Sequence, residues 1–237
     1  MNQVALKKNT SKMRWLVVVG LALVLFFALF YGGVSVVAAI QLTKPKQRVQ
    51  VNANVFSAAL PYQHVGFPAR KDGLGLSAWY RSFPSTREAI VLVHGKDQNA
   101  EVEFDGRFIQ LADGLNQAGF AVLPIDLRGH GKSQAAHLTF GAYEQRDVLG
   151  AVDWLLREKG FAPGHIGVLG VSMGAASSIY ATAQEPAIGA LVADSSYAEI
   201  SSVVQAGWKP SSHLPDWFLP STKLFVGWIY HYNMDDV

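Results

Sequence analysis

The longest hydrophobic run of the chain covers residues 15–40, where 26 consecutive positions carry no charged side chain. A helix of about 20 apolar residues is long enough to cross a bilayer. Trp15 and Tyr31 are suited to anchor such a helix at the membrane interfaces. We therefore predict a transmembrane helix over 15–40. A cleaved signal peptide is the alternative that the small residues Ala38 and Ala39 allow, although its apolar core is usually only about 7–15 residues long.

Beyond residue 60, short apolar segments alternate with segments of helical periodicity. We predict strands in HVGFPA, LGLSAWY, AIVLVHG, AVLPID, HIGVLGV and IGALVAD, which begin at residues 64, 74, 89, 121, 165 and 188. The first two flank Asp72-Gly73, a dipeptide that favours a tight hairpin turn. Strands alternating with helices indicate an α/β fold with a mainly parallel sheet. Pro124 weakens the fourth assignment, because proline cannot donate a hydrogen bond to a neighbouring strand.

Three segments between these strands show the spacing of an amphipathic helix. Their apolar positions are Phe104, Phe108, Leu111 and Leu115, then Val148, Val152, Leu155 and Leu156, then Ala175, Ala176, Ile179 and Ala183. Gly119 can end the first helix in a left-handed conformation. Glu144 and Asp147 lie in the first turn of the second helix, which ends at Lys159-Gly160, as the helix dipole favours.

Charge is distributed unevenly along the chain. Residues 1–71 hold nine Lys or Arg and no acid, whereas residues 72–237 hold 11 bases and 18 acids. A net negative globular part argues against a nucleic-acid surface, which needs clustered positive charge. The chain has no cysteine, so disulfides, thiolate nucleophiles and cysteine-ligated zinc are excluded.

The densest chemical signal is GVSMG at residues 170–174, a GxSxG pattern between a predicted strand and a predicted helix. This context is typical of a nucleophilic serine held on a sharp turn, for which Gly170 and Gly174 would provide the space. Ser172 is therefore the candidate nucleophile, and a helix N-cap serine is the alternative. The oxyanion would be bound by two backbone N–H groups, those of Met173 and of Lys96 in the loop after AIVLVHG.

A second dense stretch is DLRGHGKS at residues 126–133. Its two glycines favour a tight turn around His130, which Asp126 and Arg128 can hold by hydrogen bonds and charge. A catalytic role for His130 is disfavoured, because the serine precedes the acid and the histidine in this strand–turn–helix architecture. We interpret His130 as a structural residue of the turn.

Together HG at 94–95, DLRGHGKS at 126–133 and GVSMG at 170–174 resemble the α/β-hydrolase superfamily. Within that superfamily they resemble membrane-anchored relatives of serine aminopeptidases and monoglyceride-lipase-like esterases, and the resemblance covers about residues 62–200. It implies a three-layer fold with eight strands, a Ser/Asp/His triad and hydrolysis of an ester, thioester or amide through an acyl-enzyme. Ser172 would be the nucleophile.

The sequence departs from that family after residue 200, where no segment has the pattern of a buried strand followed by an aspartate loop. His213 and His231 lie in aromatic, cap-like stretches, and Asp194 ends the sixth predicted strand. We therefore expect the last strands to be missing and the triad to be incomplete. The chain would then be a fragment of a longer hydrolase with weak or no activity, or its last strands would come from another chain.

These patterns divide the chain into five predicted regions. They are a basic tail (1–14), a transmembrane helix (15–40), a linker (41–60), an incomplete hydrolase core (61–196) and a cap-like segment (197–237). Four basic residues before the span and three after it favour an extracytoplasmic core. The aromatic residues of the last region would form a lid over an apolar acyl site, or would simply pack the cap.

The functional prediction is a single-pass, membrane-anchored serine hydrolase acting on a small-molecule or lipid-like acyl substrate. The chemistry needs no metal and no cofactor. The alternative is a non-catalytic binding or scaffold domain that is tethered to the membrane and retains the hydrolase fold.

Overall fold

A computed structural model describes residues 2–46 and 62–235, with side chains from residue 12 onward. The predicted linker therefore lies largely outside the described residues. The chain forms two compact units. One contains the N-terminal helix with Val204–Asn233, and the other contains the sheet and the helices that cover it.

The sheet unit has the predicted alternation of strands and helices. The strands are β1 (Gln63–Pro68), β2 (Gly75–Tyr80), β3 (Ala89–Val93), β4 (Ala121–Asp126), β5 (Ile166–Val171) and β6 (Ile188–Asp194). The helices between them are α2 (Arg107–Gln117), α3 (Gln145–Glu158) and α4 (Met173–Thr182). The N-terminal helix is α1 (Asn2–Thr43), and α5 (Ile200–Ser212), a 3₁₀ turn (Asp216–Phe218) and α6 (Leu219–Tyr230) complete the described chain.

The six strands form one sheet in the order β1-β2-β4-β3-β5-β6. β1 and β2 form an antiparallel hairpin, in which Gly73 adopts a positive φ of 69°, as the turn dipeptide predicted. β2 also pairs antiparallel with β4, whereas β4, β3, β5 and β6 are mutually parallel. The prediction of a mainly parallel sheet is confirmed.

Helices cover both faces of this sheet, which makes the fold three-layered. Leu92 and Val122 pack against α2, whereas Val91, Leu123 and Val168 pack in a larger core with α3 and α4. This division follows from the period of two along a strand, which sends neighbouring side chains to opposite faces. Strands buried on both faces must be apolar throughout, as AIVLV is.

Pro124 is accommodated inside β4 by an interruption of strand pairing. Val122 exchanges two backbone hydrogen bonds with Arg81, and β2 next pairs with β4 at Ile125 and Asp126. Backbone groups two residues apart point to the same side of a strand. The missing N–H of Pro124 therefore faces the gap in the β2–β4 ladder, and its pairing with Leu92 of β3 is undisturbed.

The structure corrects two sequence expectations about helices. Phe104 lies in turns before α2, with a positive φ of 53°, so the first helix begins three residues later than its periodicity predicted. Glu144 immediately precedes α3, whereas Asp147 lies in its first turn as expected. Asp147 is also fully buried and binds Arg128.

The β6 edge of the sheet is unpaired within the described residues. β6 pairs with β5 alone, and Val192 in its middle is 56% exposed. An exposed apolar edge strand is unusual in a soluble domain, because it offers free backbone groups to other strands. By contrast, both edges of β3 are paired, one with β4 and the other with β5.

The helical unit is formed by α1, α5 and α6. α1 is 42 residues long and extends beyond the predicted span at both ends; its segment Lys12–Thr43 is long and apolar enough to cross a membrane. The second half of this helix packs through Ala38 against Trp208 and Phe218. This assignment rests on the length and composition of the helix.

Candidate functional site

Ser172 occupies a strained corner between β5 and α4. Its φ of 52° and ψ of −115° lie outside the regions that side-chain-bearing residues prefer. Its side chain does not cap α4, and within the described residues its hydroxyl makes no hydrogen bond. A capping serine has extended backbone and accepts a bond from the first helical turn. The geometry therefore favours a nucleophile over an N-cap at this position.

Gly170 and Gly174 make this corner sterically possible. A Cβ added to Gly170 would lie 2.4 Å from the carbonyl oxygen of Gly174, and one added to Gly174 would lie 2.4 Å from the oxygen of His94 and 2.5 Å from that of Val93. These are contacts with backbone, which cannot rotate away as a flexible side chain could. The turn therefore requires glycine at both positions, as the sequence pattern predicted.

The predicted oxyanion donors flank the serine. Met173 is the first residue of α4, and Lys96 follows Gly95 in the loop after β3. Neither backbone N–H donates a hydrogen bond to any residue that the structure describes. Unused N–H groups near the end of a strand and at the start of a helix are what a developing oxyanion requires. The Lys96 ammonium is 3.3 Å from the Asp97 carboxylate and lies over the Phe140 ring.

A buried carboxylate that sequence reasoning missed holds the β3 loop beside the serine. The N–H of Gly95 donates to Oε2 of Glu103 at 2.5 Å, and Glu103 is 7% exposed. A Cβ on Gly95 would lie 3.4 Å from Cβ of Ser172, so the loop passes close to the candidate nucleophile. In the sequence Glu103 belongs to an ordinary charged stretch, EVEFD, and nothing there indicates burial. We interpret Glu103 as a positioning residue for this loop.

Two histidines near the serine have structural partners on both ring nitrogens. Nδ1 of His94 bonds the carbonyl of Gly95 at 2.7 Å, and Nε2 accepts from the N–H of Leu127 at 3.0 Å. His130 is held in the same manner by the carbonyl of Arg128 and the N–H of Asp97. Burial lowers the pKa of His94 to about 3 and also lowers that of His130. Both rings are therefore neutral members of the turn network, and neither has a nitrogen available as a general base.

Asp126 and the two glycines shape the DLRGHGKS turn as the sequence indicated. The Asp126 carboxylate accepts from the N–H groups of Ala100 and Lys132, at 3.0 and 2.9 Å. Gly129 and Gly131 both have positive φ, and a Cβ on Gly131 would lie 2.2 Å from the Asp126 carboxyl group. The turn is therefore compatible only with glycine where it folds over this carboxylate.

Arg128 joins this turn to α3 through a buried ion pair. Its guanidinium bonds Asp147 at 2.6 Å and Asp72 at 2.9 Å, and its backbone N–H also donates to Asp147. Burial works to lower the pKa of Arg128, but its hydrogen bonds with Asp147 and Asp72, together with the charges of Asp147 and Glu144, outweigh burial and raise that pKa. The pair fixes the loop after β4 against the helix that covers the sheet.

The remaining histidines lie in other surroundings. His64 bonds Ser77, His165 bonds Glu88, and His213 and His231 end α5 and α6 in left-handed conformations. His137 is exposed in the loop before α3. The backbone of Asp194 is close to the serine, since its carbonyl accepts from the Ser172 N–H at 2.8 Å, while its carboxylate accepts from the Ser195 hydroxyl. Within the described residues, no histidine is hydrogen-bonded to Ser172.

Glu101 is a second buried acid near this turn. It is 4% exposed, and its Oε1 has no hydrogen-bond partner among the described residues. Burial and, to a smaller extent, the nearby Asp126 raise the pKa of Glu101 to about 7, although Lys132 opposes the rise. Below about pH 7 the neutral acid is therefore favoured in the folded protein.

We expect Glu101→Gln to stabilise the protein at pH 8 and not at pH 4. A raised folded pKa means that folding loses stability as the pH rises from about 4.5, the ordinary value, to about 7. Glutamine removes this loss, which for a pKa difference of about 2.5 is worth about 3 kcal/mol. Urea unfolding of both proteins at several pH values measures the effect. A constant difference between pH 4 and pH 8 would contradict the assignment.

Comparison with known proteins identifies the family of this chain. Residues 84–232 match the family described as serine aminopeptidase, S33. The mouse monoglyceride lipase is 32% identical over 130 residues, 54% of this chain and 41% of that protein. An uncharacterised Bacillus subtilis protein is 28% identical over 159 residues, 65% of this chain and 50% of that protein. The chain thus spans about half or less of these curated relatives.

Solved structures give the same picture. An esterase of Pyrococcus furiosus superposes with a TM-score of 0.60 and 26% identity, over 78% of this chain and 68% of that one. An α/β hydrolase of a Penicillium species superposes with a TM-score of 0.54 at 20% identity, over 65% of this chain and 53% of that one, and so supports the fold alone. The six-stranded sheet and its covering helices thus have counterparts in known hydrolases.

Proposed function

Because the chain belongs to the serine aminopeptidase (S33) family of α/β hydrolases, we propose that it is a serine hydrolase that cleaves an ester, thioester or amide bond through an acyl-enzyme on Ser172. The observation that carries the proposal is the geometry at Ser172. Its backbone is strained, and its hydroxyl does not cap the helix α4 that follows it. Strain of this kind persists where the surrounding structure enforces it, and it is concentrated at functional sites. Here Gly170 and Gly174 allow the corner to form.

In the proposed reaction the Ser172 oxygen attacks the acyl carbon, and the N–H groups of Met173 and Lys96 stabilise the tetrahedral oxyanion. The leaving group departs with a proton from the general base, and water then hydrolyses the acyl-enzyme. Each removed oxyanion donor typically lowers kcat by about 10²–10³-fold. Both N–H groups donate no hydrogen bond to a described residue, and this supports the assignment.

We propose that the general base and its acid come from polypeptide other than the residues described, either further along the chain or from another chain. Two observations support this: no described histidine bonds Ser172, and the outer edge of β6 is unpaired within the described residues. A serine without its base retains only the contributions of oxyanion binding and substrate binding. Residues 1–237 alone would then be weakly active or inactive.

The proposed substrate is a lipid-like or small acyl compound, and the proposed location is a membrane. A monoglyceride lipase and an esterase are among the similar proteins, and α1 contains one segment long and apolar enough to span a bilayer. We propose that α1 anchors the chain and that the hydrolase domain lies on the extracytoplasmic side. The slight excess of basic residues before the span supports that orientation.

Labelling with a fluorophosphonate probe and mapping the modified peptide test the assignment. In the protein that has its general base, the expected adduct is on Ser172, because that partly exposed residue lies on a strained turn beside two candidate oxyanion donors. The matched reagent control is the protein unfolded in urea, which should not react. An adduct on another serine would overturn the role of Ser172.

A non-catalytic membrane-tethered scaffold is the second candidate, and the absence of a described histidine on Ser172 favours it. Reading the coding DNA beyond codon 237 separates the two. An apolar strand followed by GxxD and a later histidine supports the hydrolase. If neither occurs and the probe does not react with the protein from its native source, the scaffold is supported.

A further inference from the structure

An exposed apolar surface on α6 and on the 3₁₀ turn before it is not explained by the hydrolase chemistry. Trp217, Leu224 and Trp228 are 61, 70 and 74% exposed. Leu224 and Trp228 are four residues apart and therefore lie on one face of α6. Exposed apolar patches of this kind on a soluble surface usually mark an interaction site. We refer to Trp217, Leu224 and Trp228 as the α6 stripe.

The α6 stripe belongs to the same compact unit as the apolar helix α1. Tyr31 of α1 stacks on Phe218 with ring centroids 4.9 Å apart and donates a hydrogen bond to the carbonyl of Trp217 at 2.8 Å. One helical turn later, the Ser35 hydroxyl is 2.7 Å from that of Ser221. Polar and aromatic contacts together fix α6 against α1 at this level.

Side chains of α1 are exposed along its first part and become buried in the part that packs against α6. Residues 12–30 are exposed throughout, apart from the partly covered Val19, whereas Ser35, Ala38 and Ala39 are buried. At 1.5 Å per residue the exposed part is about 28 Å long. The hydrocarbon core of a bilayer is about 30 Å thick. The exposed part of α1 therefore matches the membrane thickness, and α6 packs on the segment that follows it.

We propose that the α6 stripe is a second membrane contact, inserted into the headgroup boundary of the leaflet from which α1 emerges. This rests on the membrane anchor proposed above. Tryptophan is enriched at this depth because its ring is apolar and its N–H is polar. The stripe is continuous with the lipid-facing part of α1 through the Tyr31–Trp217 contact. Insertion of these side chains at the boundary would add buried apolar area to that of the span.

The absence of cysteine from the sequence makes a direct test possible, since each introduced cysteine is the only one. A nitroxide spin label is attached to Leu224→Cys, Leu21→Cys or Glu158→Cys in vesicles of phosphatidylcholine with a minority of phosphatidylglycerol. Oxygen is concentrated in lipid, and a nickel chelate is concentrated in water. The ratio of the two collision rates reports the depth of each label.

We expect the oxygen-to-nickel ratio of Leu224→Cys to be several-fold higher than that of Glu158→Cys, which is exposed at the end of α3, and lower than that of Leu21→Cys at the middle of the exposed part of α1. Trp228→Cys should repeat the result. The inference is wrong if the Leu224 label has the same oxygen-to-nickel ratio as the Glu158 label, or if it collides with neither reagent because protein covers it. Neither result would contradict the proposal that α1 anchors the chain. A Leu21 label in water would overturn the anchor and the inference together.

Discussion

Replacing Ser172 with alanine is expected to lower ester hydrolysis on the order of 10⁶-fold in the protein with its general base present, because loss of the nucleophile costs as much as loss of the whole triad. The Ser172 side chain accepts and donates no hydrogen bond within the described residues. The substitution should therefore leave the fold and the unfolding midpoint unchanged. Initial rates with a p-nitrophenyl ester and covalent labelling by a fluorophosphonate measure the loss of the nucleophile. The unfolding midpoint is compared with that of the parent protein.

Ser202→Ala is the matched control for this prediction. Ser202 is an exposed serine whose hydroxyl bonds the carbonyl of Glu199, and it lies at the start of α5. It should retain the parent rate and the parent labelling. A Ser172→Ala protein that hydrolyses the ester at the rate of Ser202→Ala would mean that another residue carries the reaction. The scaffold candidate predicts equal, negligible rates for all three proteins.

The largest expected effect on stability is that of Asp147→Ala. Asp147 is fully buried, and its carboxylate accepts from the guanidinium and from the backbone N–H of Arg128. Removing one partner of a buried ion pair leaves an uncompensated charge and costs about 3–5 kcal/mol. Asp72, which is partly exposed, compensates only in part. Urea unfolding in detergent, followed by tryptophan fluorescence, measures the change in the free energy of unfolding.

Asp153→Ala provides the comparison for that measurement. Asp153 also lies in α3 and pairs with an arginine, Arg70, at 2.8 Å, but both side chains are about one quarter exposed. Its loss should cost about 1 kcal/mol or less. The double variant Arg128→Leu/Asp147→Leu should recover much of the stability, because no unpaired charge remains. If Asp147→Ala and Asp153→Ala are equally destabilising, the burial argument is wrong.

The sequence allowed the sheet and the candidate nucleophile to be predicted because both depend on local patterns. Six apolar runs correspond to six strands, and the GxSxG spacing places Ser172 at the turn between β5 and α4. The turn around His130 could be predicted for the same reason, since two glycines with positive φ surround it. Three expectations stay predictions: the side of the membrane on which the core lies, the identity of the general base, and the division of the chain into five regions.

The positions that could not be predicted depend on contacts between distant parts of the chain. Glu101 and Glu103 look like solvated acids in the sequence, and only the folded β3 loop shows that both are buried. Asp147 fits the rule for the first turn of a helix, yet its partner is Arg128, 19 residues earlier. The contacts of α6 with Tyr31 join residues 186 apart, which no local periodicity indicates.

Gly174 packs against the carbonyl oxygens of Val93 and His94, so the helix after the serine and the strand before the oxyanion loop lie in direct backbone contact. A displacement of one would therefore displace the other, and in the proposed reaction this contact would help to keep the Ser172 oxygen aligned with the two amide donors. Variants selected for bulkier substrates should therefore carry their changes in the surrounding loops, and the serine corner itself should resist redesign.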